Sequence, residues 1–365
     1  MERVRKSFLI INPFGIGDVL FSTPLIRNIK ERFPSAKIFY LCNKRTLPIL
    51  ETNPLIYKAF VYERDDFDRL KKTSKILWIK KFLDFLSQMK KEKIDVAFDL
   101  SLNSQFGFFS WYAGIKKRIG LDYKKRGRFL THKIRIDGYS DKHVVEYYLD
   151  LLSLLGVDKK EHGLEIYSDE KSREWSEEFM SRESLNGKFI IGIAPCGGQA
   201  FGKDAYVKRW PQNKFVVLIQ KLIREFSATI FIFAGTNEKE ETASILNSLG
   251  KAALSCYEFT NVSLNKIVAL ADKCSLIVAN DTGPLRIGDA LGKKIVAIFG
   301  PTDDKVYGPY PYDEIRTITV KKDLPCRPCY KKFKLPPCPY DKKCLKDISV
   351  DEVFDAVKRL LALSS

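Results

Sequence analysis

A short segment near the N-terminus combines two glycines and a carboxylate directly after an apolar run. In residues 12–18, Gly15 and Gly17 let backbone N–H groups approach a ligand, and Asp18 opens a predicted helix. A carboxylate here could take a proton from a substrate hydroxyl, or could simply cap the helix. A dinucleotide-binding fingerprint needs a third glycine where Leu20 stands, so the segment predicts no NAD or FAD site.

A second segment, residues 280–286, has the composition of a diphosphate site at a helix start. Asp281, Thr282 and Gly283 precede Pro284, and proline is favoured in the first turn of a helix. Backbone N–H groups, the Thr282 hydroxyl and the helix dipole would all favour a diphosphate. The alternative is a plain turn between a strand and a helix, with the aspartate as its cap.

A glycine-rich loop, residues 197–203, has the spacing of a phosphate-binding P-loop. The next residue is Asp204, where a P-loop has the serine or threonine that holds magnesium, and Pro211 interrupts any following helix. We therefore expect a loop that carries cations such as Lys208 toward a phosphate, and not a nucleoside triphosphatase.

Two patterns could bind a metal ion. Asp66 and Asp68 match the Asp-x-Asp pattern with which many transferases hold a metal, but they begin a charged amphipathic segment, which favours a solvated helix start. Four cysteines close together in the sequence could form a tetrahedral zinc site, or remain reduced thiols packed in a loop. They are Cys326, Cys329, Cys338 and Cys344.

Short apolar runs alternate with longer amphipathic stretches, which indicates βαβ units and parallel sheets. In the first half of the chain, the predicted strands and helices are Phe8–Ile11, Asp18–Arg32, Lys37–Cys42, Ile76–Lys91 and Asp95–Leu100. The rhythm restarts after a charged segment. In the second half, the predicted strands are Phe189–Ala194, Thr229–Ala234, Leu276–Ala279 and Ile295–Phe299.

The repeated rhythm predicts an α/β protein with two facing Rossmann-like domains. We place them at residues 1–170 and 171–348, with ligands bound in the cleft between them, outside the carboxyl ends of the strands. We expect the C-terminal segment, residues 349–365, to form a helix that packs back on the N-terminal domain.

The charge balance indicates an acidic partner. The chain has 62 Lys and Arg against 45 Asp and Glu, a formal net charge of +17. The partner could be a nucleic acid, an anionic membrane or a phosphorylated substrate, and a solvated lysine-rich surface is the plain alternative. A basic stretch, Lys116–Arg128, comes without any nucleic-acid-binding motif, so we favour a lipid phosphate or membrane over a nucleic acid.

The sequence also predicts where the protein works. Its apolar runs are far shorter than the roughly 20 residues of a membrane-spanning helix, and the N-terminus enters a strand without the pattern of a signal peptide. We therefore expect a cytoplasmic protein whose cysteines are reduced unless they hold a metal.

Together these segments resemble glycosyltransferase family 9, the heptosyltransferase family, over nearly the whole chain. The resemblance rests on the order and spacing of residues 15–25, 208–211 and 281–284, and the cysteine-rich stretch through Ile348 adds to it. It implies a GT-B type fold and an inverting, metal-independent transfer of heptose from ADP-heptose to the lipopolysaccharide inner core. The acceptor would be an anionic lipid A/Kdo-type molecule, which the enzyme reaches peripherally at the inner face of the cytoplasmic membrane.

The resemblance also implies roles for single residues. Asp18 would be the catalytic base, with Gly15 and Gly17 in the loop beside the substrates. Family members often have histidine where Arg286 stands; arginine also suits a phosphate, so the exact donor stays open. The implied donor-binding residues are Lys208, Glu238, Asp281, Thr282, Gly283 and Arg286.

Three other functions remain at this point. A different sugar donor or acceptor on the same fold is the first, and a non-catalytic nucleotide-sugar binder is the second. A basic nucleic-acid-binding protein is the third, from another class.

Overall fold

The computed structural model describes residues 6–197 and 202–363. The chain forms two compact units, of which the first comprises Met1–Tyr139 and Val144–His162 and the second comprises Ser140–His143 and Gly163–Ser365. The long segment of the second unit thus begins at Gly163. The sequence predicted that the second domain begins at Lys171.

The first unit contains a parallel six-stranded sheet. All five residues of its first strand are buried, as expected of a central strand covered on both faces. The strands are β1 (Ser7–Ile11), β2 (Lys37–Cys42), β3 (Lys58–Val61), β4 (Val96–Asp99), β5 (Lys117–Tyr123) and β6 (His132–Ile136). Their order, β3-β2-β1-β4-β5-β6, is that of a doubly wound Rossmann sheet, whose ligands bind at the carboxyl ends of the strands.

In the described part of this unit, seven α-helices connect and cover the sheet. They are α1 (Ile16–Phe21), α2 (Thr23–Arg32), α3 (Leu47–Glu51), α4 (Arg64–Thr73), α5 (Lys75–Lys91), α6 (Ser104–Tyr112) and α7 (Val144–Asp150). A 3₁₀ helix, Leu151–Leu155, follows the last of them.

The second unit repeats the same strand order. Its strands are β7 (Ile190–Ala194), β8 (Thr229–Phe233), β9 (Cys256–Phe259), β10 (Leu276–Asn280), β11 (Lys294–Ile298) and β12 (Thr317–Val320). The order β12-β11-β10-β7-β8-β9 is all parallel. Its helices are α8 (Glu170–Arg182), α9 (Gln212–Phe226), α10 (Lys239–Leu249), α11 (Leu264–Lys273), α12 (Gly283–Ala290), α13 (Asp304–Tyr307), α14 (Lys343–Lys346) and α15 (Val350–Ala362). The predicted α/β class with two Rossmann-like sheets is confirmed.

One predicted helix is broken in the structure. The sequence predicted a single helix over Asp18–Arg32, but the chain turns at Ser22 between α1 and α2. The Ser22 hydroxyl donates to the Val19 carbonyl at 2.7 Å, and Pro24 brings no backbone N–H to continue the first helix. The break separates the short helix that carries Asp18 from the longer helix behind it.

The C-terminal helix packs on the sheet of its own unit. The apolar face of α15, with Val353, Val357 and Leu360 buried, joins the core formed by α9, β11 and β12. Its predicted packing on the N-terminal domain stays a prediction. The spacing of apolar residues in the sequence predicts an amphipathic helix, but it does not predict which sheet the helix covers.

Candidate functional site

In the first unit, two asparagines hold the loop that follows β1. Asn12 is buried, and its side-chain amide donates to the backbone carbonyl of Asp18 at 2.8 Å. Asn43, just after β2, donates to the carbonyls of Pro13 at 3.0 Å and Phe14 at 2.6 Å. The loop is thus fixed to two neighbouring strands, and a reacting side chain needs this kind of support.

Asp18 lies half-buried in the first turn of α1, at the carboxyl end of the sheet. Its carboxylate accepts a hydrogen bond from the backbone N–H of Gly15 at 3.3 Å, and the helix start favours a negative charge there. Burial raises the pKa of Tyr40 and Tyr148, and the charge of Asp18 raises both further. The side chain caps its helix, and a carboxylate so positioned can also accept a proton.

A second carboxylate lies at the same edge and was not singled out from the sequence. Asp99 ends β4, next to β1, and is 5% exposed. Its Oδ1 accepts bonds from the backbone N–H of Ser101 at 2.9 Å and from the Ser101 hydroxyl at 2.5 Å. Burial raises the pKa of Asp99 to about 6, although the two bonds from Ser101 oppose the shift.

This raised pKa predicts a pH-dependent stability. The folded chain holds the Asp99 proton more tightly than the unfolded chain, so this group stabilises the fold below about pH 4 and loses that effect as pH rises to about 6. A shift of about two pKa units corresponds to roughly 3 kcal/mol. Asp99→Asn stays neutral, so we expect it to unfold at higher urea than the wild type at pH 7.5 and to lose most of this advantage near pH 4.5. An advantage of equal size at both pH values would contradict the assignment.

In the second unit, Asp281 is the centre of a buried ion-pair cluster. Its Oδ2 lies 2.6 Å from the Lys208 ammonium, its Oδ1 lies 2.5 Å from the Arg286 guanidinium, and the Thr302 hydroxyl donates to Oδ2 at 2.7 Å. Burial alone would raise the pKa of Asp281, but Lys208 and Arg286 bring it below its usual value. The carboxylate is therefore ionised at neutral pH, and it is shared by two cations.

This cluster adjoins the start of α12. Thr282 is the N-cap residue, and its hydroxyl donates to the Asn280 carbonyl at 3.2 Å, while Gly283 and Pro284 begin the helix. The first backbone N–H groups of a helix have no partner within it and attract anions. Because α12 starts at the carboxyl end of a central strand, β10, a diphosphate fits this place.

Asn280 positions the segment that carries Lys208, a role that the sequence did not reveal. Its side chain accepts a bond from the backbone N–H of Trp210 at 3.1 Å and donates to the Pro195 carbonyl at 2.7 Å. The buried Trp210 indole donates to the Ile348 carbonyl at 3.0 Å. The strand end, the segment 208–211 and the cysteine-rich region are thereby joined.

Glu238 is brought near the same segment by Arg209. One carboxylate oxygen accepts from the Gly235 backbone N–H at 2.9 Å, and the other lies 3.4 Å from the Arg209 guanidinium, which also contacts Glu241 at 2.7 Å. Glu238 is buried. Its predicted part in donor binding stays a prediction.

The predicted metal-binding residues and the glycine-rich loop are the remaining candidates from the sequence. Asp66 lies in α4 and pairs with Lys44 at 3.4 Å, as a solvated helix start would. Most of the predicted glycine loop, residues 197–203, lies outside the described residues. In the described ranges, no group of three His, Cys, Asp or Glu side chains is arranged to hold a metal ion. Cys326 and Cys338 are exposed, whereas Cys344 is buried.

The chain is similar to known proteins in sequence and in fold. The family model for glycosyltransferase family 9 (heptosyltransferase) matches residues 83–338. Lipooligosaccharide heptosyltransferase 2 of Campylobacter jejuni is 27% identical over 363 residues, which cover 96% of each chain.

Two solved structures share the fold. The glycosyl transferase family 9 protein from Veillonella parvula superposes with a TM-score of 0.80 at 23% identity, covering 100% of this chain and 99% of that one. E. coli ADP-heptose lps heptosyltransferase II superposes with a TM-score of 0.76 at 21% identity, covering 98% and 100%. The two parallel sheets thus have the fold of the GT-B type.

Proposed function

Because the chain belongs to glycosyltransferase family 9, the heptosyltransferase family, we propose that it transfers a heptose to the inner core of lipopolysaccharide. The name of the Campylobacter jejuni relative supports a lipooligosaccharide acceptor, and that of the E. coli protein supports ADP-heptose as the donor. The observation that carries the proposal is the buried cluster of Lys208, Asp281 and Arg286 at the start of α12.

On the donor side, the cluster would hold and stabilise the diphosphate. As the bond between the anomeric carbon and the diphosphate breaks, the leaving group gains negative charge. Lys208 and Arg286 supply fixed positive charge, and the first turn of α12 supplies N–H donors at Gly283 and beyond. These groups provide without a metal ion the charge stabilisation that many transferases take from one.

On the acceptor side, Asp18 would be the base. The acceptor hydroxyl attacks the anomeric carbon from the face opposite the diphosphate, Asp18 takes the hydroxyl proton, and the diphosphate leaves with the bonding electrons. A single displacement of this kind inverts the anomeric configuration. Gly15 and Gly17 keep the backbone beside the carboxylate open to the substrates.

A panel of nucleotide sugars tests the proposal. A ligand that binds the folded state raises the melting temperature, so ADP-heptose should stabilise the protein more than UDP- or GDP-sugars do. Transfer is then followed with the stabilising donor and lipid A/Kdo-type acceptors. Stabilisation by another donor alone would favour a different transfer on the same fold, and stabilisation without transfer would favour a non-catalytic binder.

We also propose a structural zinc ion at the four cysteines. Burial raises the pKa of Cys329, and the neighbouring Cys326 and Cys338 thiols raise it further. Burial likewise raises the pKa of Cys344 to about 11, and Cys329 and Cys338 again add to it. The thiols thus act on one another electrostatically, although the described residues do not bring three of them together as a metal site. A zinc ion would draw the thiolates together and remove their mutual repulsion.

Elemental analysis tests this zinc site. We expect about one zinc per chain in protein purified without added metal, and its loss in Cys338→Ser. A ratio well below one in the wild-type protein would contradict the site. Catalysis as proposed does not depend on this ion.

A further inference from the structure

We propose that the exposed outer surface of α4 and α5 docks the enzyme on an anionic lipid bilayer. We define the α4–α5 surface by eight exposed side chains: Lys71, Lys72, Lys75, Ile76, Leu77, Ile79, Lys80 and Leu83. The inference rests on the proposed function, because a lipid-anchored acceptor is what would bring the enzyme to a membrane.

Apolar side chains project from α5 into solvent. Ile76 is 79% exposed, Leu77 55%, Ile79 47% and Leu83 46%. The opposite face of the same helix already supplies the core, with Phe85, Leu86 and Met89 buried. A solvated helix needs only one apolar face, so the additional apolar side chains indicate a second surface to be covered.

Charge identifies the kind of partner. Within α5, the only acidic residue is Asp84, against the lysines Lys75, Lys80, Lys81, Lys90 and Lys91. Two further lysines, Lys71 and Lys72, end α4. Apolar side chains rimmed by lysines are typical of surfaces that insert among acyl chains while the ammonium groups meet anionic headgroups.

The surface lies on the acceptor side of the first unit. Lys44, which follows β2, bonds through its backbone N–H to Glu63 at 3.1 Å and through its side chain to Asp66, and so holds the start of α4 at the carboxyl edge of the sheet. Because α5 runs back to the start of β4, its first turns point toward that edge. Asp18 lies at the same edge, so a bilayer on this surface would present a lipid-anchored sugar near the proposed base.

The structure favours this surface over the basic stretch noted in the sequence. In the stretch Lys116–Arg128, Arg118 is tied to the Phe129 and Ile115 carbonyls, at 2.6 and 2.5 Å. Lys124, Lys125 and Arg126 are exposed, but only two exposed apolar side chains, Trp111 and Tyr112, lie near the end of this stretch, against four on α5. Charge alone gives weak, salt-sensitive attraction, whereas charge together with apolar insertion gives stable binding.

Vesicle flotation of the full chain tests the proposal. We expect binding to vesicles that contain phosphatidylglycerol and little binding to phosphatidylcholine alone. The triple variant Ile76→Ser, Ile79→Ser, Leu83→Ser should bind at least about tenfold more weakly. The matched control Val217→Ser, Leu254→Ser, Ile315→Ser removes three exposed apolar side chains of the second unit and should bind as the wild type does.

Charge variants compare the two surfaces directly. Lys71→Ser, Lys72→Ser, Lys75→Ser and Lys80→Ser together should weaken vesicle binding more than Lys124→Ser, Lys125→Ser, Arg126→Ser and Arg128→Ser together. The reverse order would overturn the proposal. An unchanged vesicle affinity of the apolar triple variant would also overturn it. The same holds if that variant loses self-association of the protein and keeps its vesicle binding.

A gain-of-signal variant avoids dependence on weakened binding. Ile79→Trp should shift its fluorescence to shorter wavelength on anionic vesicles and be quenched by brominated lipid, relative to the wild-type background, whereas Leu254→Trp should do neither. Equal quenching of the two variants would contradict insertion at α5.

Transfer to a delipidated soluble acceptor separates the membrane proposal from the proposed function. The apolar triple variant should keep its transfer rate within about twofold of the wild type if the surface serves only the membrane. Vesicle binding at α5 without any transfer would instead refute the function and leave the surface intact.

Discussion

Asp18→Asn should fold as the wild type does and lose about 10²- to 10⁴-fold in turnover, the contribution expected of a positioned general base. The amide has the same shape, and its oxygen can still accept the Gly15 N–H bond that the carboxylate accepts at 3.3 Å. It has no free basicity for the acceptor proton. Asn12 bonds the backbone carbonyl of residue 18, so the loop keeps this anchor in the variant.

Turnover and donor affinity should separate in this variant. Donor binding is assigned to the second unit, so the dissociation constant for the donor should stay within about threefold while turnover falls. Asp66→Asn is a matched control, because it neutralises a carboxylate in a first helical turn of the same unit. It should leave both quantities unchanged. Activity of Asp18→Asn close to that of the wild type would remove Asp18 from the role of base.

The sequence predicted some strands of the two sheets accurately and missed others. The central strands β1 and β10 were predicted almost to their ends because they are apolar on both faces. The edge strand β6 was not, since His132–Ile136 alternates charged and apolar side chains and is largely exposed. The pattern of apolar residues reflects the burial of a strand, and an edge strand is buried only in part.

The supporting contacts of the candidate site lay beyond sequence reasoning. The motif around Asp281 was recognised, but the bond from Thr302 comes from a loop after the next strand, and the Asn280 side chain reaches Pro195 across the sheet. Such pairs depend on which strands become neighbours, and no local pattern states that. The same holds for Asn43, which secures the loop before Asp18 from the end of β2.

Arg286 is more buried than the sequence suggested. The sequence suggested an arginine that serves a phosphate directly. In the structure its guanidinium is 4% exposed, lies 2.5 Å from Asp281 and stacks over the Phe299 ring with its centre 5.8 Å from the ring centroid. Its charge therefore acts on a diphosphate as part of one cluster with Lys208 and Asp281, and the effect of changing any member depends on the other two.

The cluster leads to the second large effect. Asp281→Asn should lower the free energy of unfolding by about 3–5 kcal/mol, because it leaves Lys208 and Arg286 buried without their common counter-ion. A nucleoside diphosphate would supply the missing negative charge. We therefore expect ADP to raise the melting temperature of this variant by more than it raises that of the wild type, even though turnover falls with the loss of cluster geometry.

Lys208→Met provides the opposite case. It removes one cation and leaves Asp281 paired with Arg286, so the fold should lose less stability than in Asp281→Asn. The diphosphate then loses one cationic partner, and the affinity for ADP and for the donor should fall by about 10- to 100-fold, as for a lost charged hydrogen bond. Calorimetric titration and thermal melts of both variants decide the matter. If ADP stabilises the two variants equally, the cluster is a structural ion pair and the diphosphate binds elsewhere.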